Sequence, residues 1–128
     1  FGGFDERFGV GRWYGSGEET DFVLRVLATG SVLYRCPNAK VHHVYGVIPK
    51  GNRRHAFRNV RRRARGTGAI YAKHRLSLYV ILRGFSTPIV LPIFQMKGLE
   101  AVLYGVTTVL GRVEGFLAWS WDGSQNRL

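Results

Sequence analysis

Three carboxylates stand within four residues near the start of the chain: Glu18, Glu19 and Asp21. They follow a run of small residues, Gly15, Ser16 and Gly17, which lets a ligand approach the backbone closely. Clustered carboxylates repel one another, so we expect one of the three to have a raised pKa. Such a group could act as a general base that takes a proton from a hydroxyl group.

The same residues also suit a purely structural role. Ser16 has a typical N-cap side chain, and Glu19 three residues later completes the pattern of a capping box. Acidic residues also favour the positive end of a helix. If Glu19 bonds back to the backbone of Ser16 it is a cap, whereas if it faces a cleft it is available as a base. The sequence leaves both interpretations open.

Two further groups of residues could take part in chemistry. His43 follows a short extended run and could bind a metal ion, although histidines are more often structural. The cluster of four arginines at positions 61–65 could bind phosphate groups. A solvated helix face, or attraction to anionic lipid headgroups, would explain the same cluster.

Composition indicates a folded basic protein. The chain has 128 residues and a net charge of +11, and its 45% hydrophobic content is too high for a disordered tail. Its one cysteine excludes an internal disulfide framework and a cysteine-based zinc site. Twelve Lys or Arg residues lie between Arg35 and Arg75 with no acidic residue among them. This block favours an anionic partner, which is a nucleic acid, a phosphate-bearing ligand or a membrane surface.

The pattern of residues predicts helices and two short strands. A helix starts after Ser16 and ends at Gly30, short strands cover 31–36 and 39–44, and a second helix over 53–76 is interrupted at 66–68. The remainder is apolar and is broken by Pro88 and Pro92. Its longest uncharged run has 13 residues. A spanning helix needs about 20, so interfacial or re-entrant helices are the better prediction.

Several short motifs in the first 43 residues, taken together, carry a resemblance. They are Gly-Gly-Phe-Asp-Glu at 2–6, Gly-Glu-Glu-Thr-Asp-Phe-Val-Leu-Arg at 17–25, Gly30, and Pro-x-Ala-x-Val-x-His at 37–43. In order and spacing they resemble the C-terminal half of the catalytic domain of family 2 glycosyltransferases. Arg-Gly-Thr-Gly-Ala at 65–69 and the pair Lys73-His74 resemble the helix that follows this domain in membrane-associated members.

The resemblance implies a fold. It predicts an α/β protein in which residues 1–48 are the C-terminal portion of a Rossmann-like GT-A catalytic domain. Residues 49–128 would then be a basic, apolar, mainly α-helical region associated with a membrane. The nucleotide-binding strands and the Asp-x-Asp metal motif of the family would lie upstream. The chain is therefore expected to be a fragment that is inactive alone.

The resemblance also implies a reaction, which is the inverting transfer of a sugar from a nucleotide diphosphate sugar to an acceptor hydroxyl. The second acid of the pair, Glu19, would be the general base. The assignment between Glu18 and Glu19 stays open, because this position is often Asp, and Asp21 would shape the site. His43 would help to bind Mg²⁺ or Mn²⁺, whose main ligands lie outside this chain. The residues expected near the substrates are Asp5, Glu6, Trp13, Gly15, Ser16, Gly17 and Arg25.

The basic block and the apolar tail predict a location and partners. They would hold the enzyme on the cytoplasmic face of the cell membrane, as a peripheral or re-entrant protein, with an anionic lipid surface as partner. A glycan or a lipid-linked molecule would be the acceptor, in the synthesis of a cell-surface polysaccharide or glycolipid. No nucleic acid is expected, because the acidic loop would repel phosphates. The alternative is a non-catalytic basic module that binds nucleic acid or an anionic membrane surface.

Overall fold

The computed structural model describes residues 2–40, 42 and 52–125. These residues form four helices, which are α1 (Glu18–Ala28), α2 (Arg53–Lys73), α3 (Leu78–Phe94) and α4 (Gly98–Gln125). The described part contains no strand, only an isolated bridge between Phe8 and Tyr14. The prediction of an α/β fold with a partial GT-A, Rossmann-like domain is therefore wrong, because this part of the chain is all-α.

The two predicted strands show why the α/β prediction is wrong. Residues 31–36 have no regular secondary structure and are mostly exposed. Strand-favouring residues form a strand only when a neighbouring strand completes the hydrogen bonds, and the described residues offer none. The second predicted strand, 39–44, lies partly outside the described residues, and positions 39, 40 and 42 are not in a strand.

Helix α1 begins one residue later than predicted and without the predicted capping box. Its N-cap is Gly17, with φ = 108°, and no side chain caps the helix. Only glycine adopts this left-handed conformation without strain. The Ser16 hydroxyl instead donates to the carbonyl oxygen of Arg63 at 2.8 Å. The C-terminal end is confirmed, because Gly30 follows α1 with φ = 81°.

Helix α2 is continuous, so the predicted interruption at 66–68 is wrong. The two glycines there allow close packing. A Cβ atom on Gly66 would collide with the carbonyl oxygen of Ser16, and one on Gly68 would collide with that of Arg112 in α4. The glycines therefore bring the N-terminal loop and α4 into backbone contact with α2.

Helix α3 contains Pro88 and Pro92 without ending at either, so the predicted break is wrong. Pro88 has no N–H group and cannot donate to the carbonyl oxygen of Gly84, four residues before it. The Arg112 guanidinium of α4 donates to that carbonyl oxygen instead. A side chain from a neighbouring helix thus supplies the hydrogen bond that the proline removes.

Helix α4 packs along both α2 and α3. The Glu114 carboxylate joins it to α2, because it accepts hydrogen bonds from Arg61 and from Arg65, the latter at 2.7 Å. Near the other end of α2, a small core of Phe8, Tyr14, Ala69 and Ile70 packs against Trp119 of α4. The N-terminal loop, α2 and α4 therefore meet at this core.

Within residues Gly98–Asp122 of α4, an 18-residue window has a mean hydropathy of 1.3, and this helix is long and apolar enough to contact or cross a membrane. The sequence predicts no spanning helix here, because the longest uncharged run has only 13 residues. Arg112 and Glu114 interrupt the apolar sequence, but Arg112 donates to Gly84 of α3 and Glu114 pairs with α2.

Candidate functional site

The loop before α1 is held on α2 by its backbone. The N–H group of Gly15 donates to the carbonyl oxygen of Arg62 at 3.1 Å, next to the Ser16–Arg63 hydrogen bond. The ring of Trp13 is half-exposed, and the guanidinium of Arg65 lies 4.5 Å from its centroid. The electron-rich face of an aromatic ring attracts a cation in this position. The loop and the arginine cluster of α2 therefore form one continuous surface.

Asp21 is the fully buried carboxylate beneath this surface. Its Oδ1 atom lies 2.6 Å from Nζ of Lys73 and 2.9 Å from Nε2 of His74. Its Oδ2 atom accepts from Nε of Arg25 at 2.9 Å. A buried charge needs partners of this kind to offset the loss of its hydration. Asp21 therefore fastens α1 to the C-terminal end of α2.

Lys73 also reaches the N-terminal segment. Its Nζ lies 2.7 Å from Oδ2 of Asp5, a carboxylate that Arg7 also binds at 2.7 Å. Arg25 donates to the carbonyl oxygen of Gly3 at 2.7 Å. The two carboxylates and their cations thus connect residues 3–7, α1 and α2 in one network.

The network determines the protonation of both acids. The hydrogen bond from Arg7 holds the pKa of Asp5 far below its usual range, against the opposing effect of burial and with help from Lys73. Burial opposes the ionisation of Asp21, but the hydrogen bonds from Lys73, His74 and Arg25 outweigh it, so its pKa is also lowered. The prediction that a clustered carboxylate has a raised pKa is therefore wrong for Asp21.

The two glutamates of the cluster differ from Asp21 and from each other. Glu18 is half-buried beside Gly9, and its Oε2 atom is buried without a hydrogen-bond partner in the described part of the chain. Glu19 is exposed, and no side chain caps α1. Of the two interpretations that the sequence left open, the cap is therefore excluded, and the Glu19 carboxylate faces solvent.

The structure brings some of the predicted site residues together and separates others. Asp5, Asp21 and Arg25 belong to the part-buried network around Asp21, whereas Trp13, Gly15, Ser16 and Gly17 form the loop against α2. Glu6 is exposed. The sequence analysis assigned no role to Lys73 and His74, which complete the network. They follow Asp21 by more than 50 positions, so no local spacing could have indicated the contact.

The predicted metal ligand, His43, lies outside the described residues. Within residues 2–40, 42 and 52–125, no group of three His, Cys, Asp or Glu side chains could hold a metal ion. The described residues therefore do not fit a divalent ion by themselves, and no chemical step is assigned to one.

The lowered pKa values predict the direction of the pH dependence of stability. Between the folded and unfolded pKa values of Asp5 and Asp21, the unfolded chain binds more protons than the folded chain. The free energy of unfolding should therefore be constant above about pH 5 and should fall below about pH 4. Urea denaturation at a series of pH values measures this, and the Asp5→Asn variant should show a shallower slope. Unchanged stability down to about pH 3 would contradict the described network.

Comparisons of this chain with protein-family models, with curated proteins and with solved structures find no match.

Proposed function

We propose that this chain is part of an inverting glycosyltransferase that acts at a membrane surface, with Glu19 as its general base. One observation carries the proposal: Glu19 is an exposed carboxylate at the start of α1, and no cap occupies this helix end. Its neighbour Asp21 is buried and bound by Arg25, Lys73 and His74, so it is not available to a substrate. The motifs over residues 2–43 add the resemblance to family 2 glycosyltransferases.

In the proposed reaction, the Glu19 carboxylate accepts the proton of the acceptor hydroxyl as its oxygen attacks the anomeric carbon. The bond between that carbon and the donor diphosphate breaks, and its electron pair leaves with the diphosphate. Attack from the opposite side inverts the anomeric centre. The sugar donor would be a nucleotide diphosphate sugar, bound mainly by residues upstream of this chain.

The exposed charges of α2, which packs along α4, favour a position of α4 at the membrane surface. Helix α2 packs along α4 and carries Arg54, Arg58 and Arg63 as exposed side chains. Burial of these charges in hydrocarbon would be costly, whereas anionic headgroups attract them. We therefore propose that the protein lies on the cytoplasmic face of the membrane, in polysaccharide or glycolipid synthesis.

The test is sugar transfer by the full-length protein. A panel of nucleotide diphosphate sugars is supplied with a membrane extract as acceptor, and the release of nucleoside diphosphate is measured. Glu19→Gln removes the base without changing its size, so the rate should fall by about 100-fold or more. Glu100→Gln is the matched control, because Glu100 is an exposed acid at the start of α4, and its rate should match the wild type.

Two results would count against the proposal in different ways. A full rate for Glu19→Gln together with loss of activity in Glu18→Gln would move the base to Glu18, the alternative that the sequence leaves open. Absence of release with every donor would contradict the glycosyltransferase function itself.

A further inference from the structure

A pocket lined by arginines lies between α2 and α4, close to the loop before α1. It has a volume of about 660 Å³, and its lining residues are Phe57, Arg58, Arg61, Arg62, Arg65, Thr107 and Leu110. This volume is within the usual range of small-molecule sites, about 300–1,000 Å³. Four guanidinium groups in one pocket make a site for an anion.

Not all of this positive charge is offset within the described part of the protein. Glu114 pairs with Arg61 and Arg65 and offsets one of the four charges. Arg62 has a buried Nε atom with no hydrogen-bond partner among the described residues. A buried donor without a partner is costly. Guanidinium groups match phosphate oxygens in geometry and charge.

The pocket opens onto an apolar stripe along α4. Six exposed apolar residues recur at intervals of three or four positions: Leu99, Leu103, Val106, Leu110, Val113 and Leu117. This spacing places them on one face of the helix, over about 27 Å. Leu110 belongs to both the stripe and the pocket. A molecule with a phosphate at one end and a hydrocarbon chain at the other would contact both features at once.

The pocket also borders the loop before α1, the helix whose first turn carries the proposed base. The carbonyl oxygen of Arg62 accepts the Gly15 N–H, and the guanidinium of Arg65 stacks on Trp13. We propose that the pocket binds the phosphate or diphosphate group of a lipid-linked acceptor, whose hydrocarbon chain lies along the α4 stripe. This inference rests on the proposed function, because it names the class of acceptor.

The experiment measures binding of the full chain to vesicles at physiological ionic strength. Phosphatidic acid in phosphatidylcholine is the probe, because it presents a terminal phosphate. Vesicles with phosphatidylglycerol at equal surface charge are the control for general electrostatic attraction to an anionic membrane. We expect clearly tighter binding to phosphatidic acid. Arg58→Gln/Arg62→Gln should weaken that binding by about tenfold or more, since it removes two of the four guanidinium groups that would bind the phosphate.

The matched control is Arg54→Gln/Arg63→Gln, which removes the same charge from the same helix outside the pocket. It should weaken binding to both anionic lipids alike, because it removes only headgroup attraction, and it should keep the preference for phosphatidic acid. Three results would each overturn the proposal. They are an equal loss of the preference for phosphatidic acid in the two variants, equal binding of the wild type to the two anionic lipids, and binding of inorganic pyrophosphate without any preference for phosphatidic acid vesicles.

A second experiment distinguishes the two possible partners of the α4 stripe, a lipid chain and a second copy of the protein. Sedimentation velocity without lipid should show a monomer, and Leu103→Glu should weaken vesicle binding. A stable dimer that Leu103→Glu dissociates without changing vesicle binding would assign the stripe to self-association and overturn the proposal. None of these assays requires sugar transfer. A vesicle result as expected, combined with full activity of Glu19→Gln and Glu18→Gln, would therefore reject the proposed base and keep the lipid site.

Discussion

The Asp21→Asn variant is expected to lose about 3–5 kcal/mol of its free energy of unfolding. The amide has nearly the size of the carboxylate, so the change removes charge and one acceptor without creating a cavity. Lys73 would then keep Asp5 as its carboxylate partner, and Arg25 would keep its charge in a part-buried site without the Asp21 carboxylate. A domain of this size typically has about 5–15 kcal/mol of stability in total, so the loss is a large fraction of it.

Urea denaturation followed by circular dichroism measures the loss. Glu19→Gln is the matched control on the same helix turn, and we expect it to change stability by less than about 0.5 kcal/mol, because the Glu19 side chain is exposed. Should Asp21→Asn fail to fold, the double variant Asp21→Asn/Lys73→Met provides the measurement. It should recover part of the stability, because it removes one of the cations that Asp21 no longer balances, while Arg7 still pairs with Asp5. A loss below about 1 kcal/mol would contradict the described role of Asp21.

The functional meaning of Asp21 follows from its position. It lies two residues after Glu19, on the same helix start, and its three bonds fix that start against α2. Loss of Asp21 should therefore also displace Glu19. The resemblance predicts Asp21 in the site, and under the proposed function Asp21 would be a positioning residue there, since its carboxylate is buried.

The sequence predicts the helices better than their contacts. The acidic start and the apolar spacing of 18–30 identify α1, because these signals depend on neighbouring residues. The capping box is wrong because the hydroxyl of Ser16 bonds to Arg63, 47 positions away. Local patterns contain no information on such a contact, since its partner belongs to another helix.

The prolines and glycines show the same limit more clearly. Pro88 and Pro92 are read as helix breakers, and in an isolated helix Pro88 would leave the Gly84 carbonyl without its donor. Arg112 supplies that donor from α4. The glycines at 66 and 68 are read as an interruption because glycine has a low helix propensity. These glycines allow close packing only if another backbone lies opposite them. The spacing of residues along α2 does not show whether one does.

The candidate site was predictable only in part. The cluster of acids and the arginine cluster are visible as sequence, so Glu19 and the basic residues of the pocket could be selected. The distinction between the buried Asp21 and the exposed Glu19 was not available, because it depends on Lys73 and His74. The pocket also needs Thr107 and Leu110 of α4, which no motif associates with the arginines.

The second large effect is expected for Gly115→Leu, which should lose about 3 kcal/mol or more of stability. Gly111 and Gly115 of α4 face the carbonyl oxygens of Arg61 and Arg65, four residues apart on each helix. A Cβ atom at Gly115 would collide with the Arg65 carbonyl, which is backbone and cannot rotate away. The gain in helix propensity from replacing glycine, about 0.8 kcal/mol, is too small to compensate.

Urea denaturation of Gly115→Leu and of Val113→Leu makes the comparison. Val113 lies two residues earlier on α4 and is 39% exposed, so the same new side chain should be tolerated there within about 0.5 kcal/mol. Separation of α2 from α4 would also open the arginine pocket, because both helices line it. Gly115→Leu should therefore bind phosphatidic acid vesicles more weakly than Val113→Leu does. Equal stability and equal binding of the two variants would mean that the backbones of α2 and α4 do not meet at Gly115, and the arginine pocket would then lose its structural basis.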